Sequence, residues 1–99
     1  MTQIVNKPYG TSFKKYASQN KNILCLSGDL TSSCEVDIFR DEYPKQFVSM
    51  GMAEQNMMSF AGGLAMSGFT PFIHTFGVFA YRRPYDQLLA SIAYPRRRV

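Results

Sequence analysis

Metal-binding chemistry has little to work with in this sequence. Its 99 residues hold one histidine, His74, and two cysteines, Cys25 and Cys34, and none of these stands at the spacing of a zinc site. Two cysteines are also too few to staple a secreted scaffold, so a reduced, cytosolic chain is expected. The segment Met1 to Lys7 has no basic region followed by an apolar stretch, the pattern of a signal peptide, and secretion is not expected. Internal repeats, low-complexity tracts and linkers are absent as well. From Gln55 to Tyr81 there is no formal charge, long enough to span a bilayer if uniformly apolar. It is interrupted by Gly62, Gly63, Gly68, Pro71 and Gly77, and Asn56, Ser59, Ser67, Thr70, His74 and Thr75 would need partners in lipid. A helix, a turn and a strand buried in protein is the expected outcome.

The positive charge is unevenly spread. Of the net +4, Arg96, Arg97 and Arg98 supply three, which leaves a nearly neutral body and argues against a nucleic-acid module. The length fits one small domain over residues 1–99. A chain of this size hides only roughly 60 to 65 % of its surface on folding, so a partner covering the apolar remainder is expected.

The hydrophobic pattern alternates between two periods. Tyr9, Phe13, Tyr16 and Ala17 recur at helical spacing and predict a helix over Pro8 to Asn20. Asn22 to Ser27 is a nearly continuous apolar run ending at Gly28-Asp29, as in a strand buried on both faces of a parallel sheet. A helix over Cys34 to Tyr43, stopped by Pro44, and a strand over Gln46 to Met50 follow. Ala53 to Met66 predicts a helix whose small residues Ala61, Gly62, Gly63 and Ala65 let another backbone approach. Thr70 to Thr75 predicts a third strand and Tyr85 to Tyr94 a final helix. The fold class is therefore α/β, a mostly parallel sheet flanked by helices.

Ligands of such sheets gather beyond the carboxyl ends of the strands. Three segments should meet there: Gly28 to Ser33, Gly51 to Asn56, and Thr75 to Phe79. They offer two carboxylates, several hydroxyls and two phenyl rings, a set suited to a flat heteroaromatic ligand touched by one acid.

These segments resemble the pyrimidine-binding domain of transketolases and their relatives, from about Tyr9 to Tyr94. The resemblance rests on Gly28-Asp29-Leu30-Thr31, Tyr43-Pro44 with Phe47, and Gly51-Met52-Ala53-Glu54-Gln55-Asn56-Met57 with Ala61-Gly62-Gly63-Leu64-Ala65. Pro71-Phe72, Thr75-Phe76 with Phe79, and Arg82-Arg83 with Asp86-Gln87 complete it. It implies a thiamine diphosphate fold and transfer of a two-carbon ketol unit between sugar phosphates. Glu54 would be the acid that hydrogen-bonds a ring nitrogen of the cofactor's aminopyrimidine and so activates it. Phe76 and Phe79 would wall the pyrimidine, Asp29 would line the thiazolium side, and Arg82 would reach the cofactor. Ser33 matches a position that contacts the sugar phosphate.

Each residue also has a plainer reading. Glu54 stands where acids favour the first turn of a helix. Phe76 and Phe79 suit core packing, Asp29 a turn or cap, Ser33 a cap, and Arg82 and Arg83 a solvated face or a salt bridge. His74 reads as a core or strand-end histidine, and Cys25 as a buried small hydrophobe. The Gly-Asp-Gly motif that holds the diphosphate through a divalent metal such as magnesium in this family is absent. The resemblance therefore implies a diphosphate-binding domain or subunit as partner, in an oligomer, and a truncated or split chain. Another thiamine enzyme, such as deoxyxylulose phosphate synthase or a 2-oxo acid dehydrogenase β subunit, and an inactive remnant stand beside the transketolase reading.

Overall fold

The computed structural model describes residues 4–99. Three parallel strands, β1 (Ile23–Ser27), β2 (Phe47–Ser49) and β3 (Thr70–His74), form a sheet in the order β2-β1-β3. Cys25 pairs with Phe47 on one side and with Phe72 on the other, so β1 is the central strand. That position explains its unbroken apolar run: successive side chains point to opposite faces, and both faces are covered. Ile23 and Cys25 join Phe13, Ala17, Val36 and Phe39 in one core. Leu26 joins Met57 and Ala61 in the other, with Leu24 packed against it.

The first core lies under α1 (Pro8–Ser18) and α2 (Asp37–Glu42). Proline opens α1, where its missing N–H is no loss, and Gly10, Phe13 and Ala17 form its buried stripe. A Cβ on Gly10 would stand 2.2 Å from the Glu35 carbonyl oxygen, so only glycine admits that crossing. The second core lies under α3 (Glu54–Met66). Here the expected close approach is found at Gly62, whose absent Cβ would stand 2.5 Å from the Ser91 carbonyl oxygen. The uncharged stretch thus holds the expected helix, a turn at Gly68 and a strand, and it ends in a short helical segment over Gly77–Tyr81 that was not expected.

Three expectations are corrected. The helix predicted from Cys34 begins only at Asp37, because residues 31–35 close a separate turn. The Val36 N–H reaches the Thr31 carbonyl at 3.0 Å and the Glu35 N–H reaches Ser32 at 3.0 Å, with Glu35 left-handed at φ 64°. That is the pairing that terminates helices, here made by a non-glycine residue. A short helix, α4 (Gly77–Tyr81), occupies what read as loop. The final helix divides into α5 (Tyr85–Leu88) and a widened turn over Leu89–Ala93, in which the Tyr94 N–H bonds the Leu89 carbonyl at 2.8 Å. This widened turn carries the Ser91 carbonyl that presses on Gly62.

Candidate functional site at the carboxyl ends of the strands

The strand ends are tied to one another before any side chain acts. The Gly28 N–H bonds the His74 carbonyl at 3.1 Å, and the Met50 N–H bonds the Ser27 carbonyl at 2.9 Å. After β2 the chain turns at Gly51, left-handed at φ 70°, and enters α3 with Glu54 as its first residue. The carboxylate is thereby set at the end of the sheet and at the positive end of a helix dipole. It is only 4 % exposed.

One partner accompanies it. Arg83 Nη1 donates to Glu54 Oε1 at 2.8 Å, and the same guanidinium lies 4.2 Å above the centre of the Phe79 ring. Phe79 in turn stacks on Phe76, with centroids 6.4 Å apart and planes 13° from parallel. Glu54, Arg83, Met52, Ala53, Gln55 and Asn56 line a depression of about 370 Å³. Acid, cation and two phenyl rings are therefore gathered into one unit by α3, α4 and the turn that follows α4.

The remaining candidates stand apart from it. Arg82 is exposed, and it is Arg83 that meets the acid. Asp29 is exposed on the loop after β1, in a left-handed conformation at φ 69°. Ser33 is exposed and lines a second cavity of about 430 Å³ with Tyr9, Cys34, Glu35, His74 and Thr75. In that second cavity, Thr75 Oγ1 is buried without a hydrogen-bond partner. Of the two plainer readings of Arg83, a solvated face or a salt bridge, the structure shows the salt bridge. The acid is now identified as Glu54, a pairing across 29 residues that no local pattern announces.

His74 and Cys25 occupy the interior, as their sequence contexts suggested. The Leu26 carbonyl can only accept, so His74 Nδ1 carries the proton of that 3.2 Å bond and Nε2 accepts from the Tyr9 hydroxyl at 2.6 Å. Burial lowers the pKa of His74 and raises that of Tyr9 to about 12; it also pushes the Cys25 thiol up to about 12. No group of three or more His, Cys, Asp or Glu able to hold a metal ion occurs among the described residues. Among them, no helix is long and apolar enough to cross a membrane.

Comparison with known proteins decides the family. The family described as transketolase, pyrimidine binding domain, matches residues 4–99. The chain belongs to this family. A 6-deoxy-6-sulfo-D-fructose transketolase subunit of a Clostridium species is 40 % identical over 80 residues, which are 81 % of this chain and 25 % of that protein. A 1-deoxy-D-xylulose-5-phosphate synthase of Lawsonia intracellularis is 30 % identical over 84 residues, 85 % of this chain and 13 % of the synthase. Among solved structures, a split-gene transketolase, determined as an inactive β4 tetramer, superposes with a TM-score of 0.81 at 38 % identity. That superposition covers 92 % of this chain and 30 % of the other. The pyrimidine-binding domain chain thus spans less than a third of the length of these relatives.

Proposed function

We propose that this chain supplies the pyrimidine-binding half of a transketolase-type active site, with Glu54 as the group that engages the aminopyrimidine of thiamine diphosphate. One observation carries the reading: a buried carboxylate linked through Arg83 to two stacked phenyl rings at the carboxyl end of a parallel sheet. The donor set fits the cofactor's pyrimidine. A carboxylate can share a proton with a ring nitrogen, and the phenyl faces of Phe76 and Phe79 suit a flat ring. When bound, thiamine diphosphate supplies a carbon nucleophile and an electron sink for breaking and forming bonds beside a ketose carbonyl.

This chain's residues then have separate tasks. Glu54 holds a proton at its carboxyl against the ring nitrogen, where burial keeps water from competing for the bond. Phe76 and Phe79 fix the plane of the ring. Asp29 faces the thiazolium side, Arg82 reaches the cofactor from the turn after α4, and Ser33 meets the phosphate of the sugar. The divalent metal and the diphosphate belong to a partner domain or subunit. The apolar surface of this chain supports such a partner: Met52 is 79 % exposed and Met66 69 %, and Phe60, Phe76 and Val78 are also exposed.

A second reading has an observation behind it, the similarity to a deoxyxylulose phosphate synthase. Reconstitution with a diphosphate-binding subunit separates the two. Glycolaldehyde transfer from a ketose phosphate, without pyruvate consumption, is the result expected of the transketolase reading. Pyruvate decarboxylation with condensation onto a triose phosphate would replace it with the second.

A further inference from the structure

Glu54 and Phe79 offer the two contacts a bound aminopyrimidine needs, a carboxylate oxygen and an aromatic face, and both are already taken by Arg83. We propose that Arg83 is an internal occupant of the pyrimidine position, one that an entering cofactor must displace. The inference rests on the reading of Glu54 as the pyrimidine contact.

The chemistry of the two groups is alike. A guanidinium is planar, presents N–H donors along one edge, and stacks on aromatic rings. The aminopyrimidine is likewise flat, and its ring nitrogen presents an N–H to the carboxylate when it holds the shared proton. A ring that lay on Phe79 and bonded Glu54 Oε1 would need the space the guanidinium fills, 4.2 Å above the phenyl centre and 2.8 Å from the carboxylate. A ring in that pose and the guanidinium cannot be present together.

The structure also equips Arg83 to leave. Its side chain is 53 % exposed, while that of its acid partner is 4 % exposed. The guanidinium can therefore swing into water without opening either core. The backbone can stay where it is, because Gln55 Nε2 holds the Arg83 carbonyl at 3.4 Å. The same side chain spares Glu54 the cost of a buried, unpaired charge.

The test uses the full chain, labelled with nitrogen-15, and the hydroxymethyl aminopyrimidine half of thiamine as probe at millimolar concentration. The Arg83 Nε–Hε resonance, displaced at the start by the Phe79 ring current, should move toward its free position as the probe binds. Arg83→Met should bind the probe roughly three- to tenfold more tightly, the effect of no longer exchanging a half-exposed ion pair and a cation–π contact. Glu54→Ala should remove binding in both backgrounds. An Arg83 resonance that stays in place while Glu54-dependent binding saturates would overturn the proposal, as would weaker binding by Arg83→Met. Should that variant not fold, the wild-type resonance decides alone. If the probe does not bind the wild type, or binds Glu54→Ala equally well, the pyrimidine reading itself fails and takes this inference with it.

Discussion

Two neighbouring glycines in α3 should respond to the same substitution with opposite sign. In Gly62→Ala the new Cβ would stand 2.5 Å from the Ser91 carbonyl oxygen, about 0.9 Å inside the 3.4 Å at which ordinary contact begins. The obstacle is backbone held in a widened turn by the bond from Tyr94 N–H to Leu89, so it cannot rotate aside as a side chain would. Overpacking of this kind costs about 1–3 kcal/mol, and the gain of alanine over glycine in a helix interior returns about 1 kcal/mol. The net expectation is a loss of up to about 2 kcal/mol. In Gly63→Ala the Cβ meets nothing within 4 Å. Only the propensity term remains, and the variant should gain up to about 1 kcal/mol. Urea unfolding followed by circular dichroism measures both midpoints. Equal shifts of one sign would show that helix propensity alone governs this face and that the final segment does not pack on Gly62.

Other outcomes follow from the site and its surroundings. Thiamine diphosphate should bind this chain alone no more tightly than the aminopyrimidine fragment does, since no Gly-Asp-Gly is present; titration calorimetry with magnesium yielding a micromolar Kd would refute this. The exposed apolar residues around Met52, Phe60 and Val78 should drive self-association or pairing with a diphosphate-binding subunit, and light scattering from a stable monomer at high concentration would count against it. His74 has its native pKa lowered by burial, so the unfolded chain binds the proton more readily. Its stabilising effect is complete above the ordinary value near 6.5 and is lost as the pH falls from there through the depressed native value. Urea midpoints should therefore drop between pH 7.5 and 5.5 in the wild type and less steeply in His74→Gln, with parallel slopes as the contrary result.

The sheet was legible because its signals are local. Ile23 to Leu26 is apolar at every position, with the buried Ser27 closing the strand, and Glu54 to Met66 carries its buried face and small residues in one uninterrupted helix. The order of the motif blocks placed Glu54 at a strand end, where it lies. What escaped was set by tertiary contacts. Nothing about Glu35 announces a left-handed residue that ends a turn, and its side-chain oxygen instead accepts from the Gly10 N–H at 3.0 Å, 25 residues away. Gly77 to Tyr81 is too short and too irregular in pattern to predict as helix. The choice between Arg82 and Arg83 as the partner of Glu54 depends on the turn after α4, which no spacing rule specifies.

The central claim is that Glu54 activates the cofactor, and exchange of the cofactor's C2 proton for deuterium in the complex with a diphosphate-binding subunit tests it most directly. Glu54→Ala should slow exchange by about 10² to 10⁴, the range for loss of a positioned acid–base group, with little change in the unfolding midpoint. Glu54→Gln should also be slowed, since an amide bonds the ring nitrogen but cannot pass it a proton. Exchange in Glu54→Ala at the wild-type rate would make Glu54 an acid that merely begins α3, and the proposed role would be wrong.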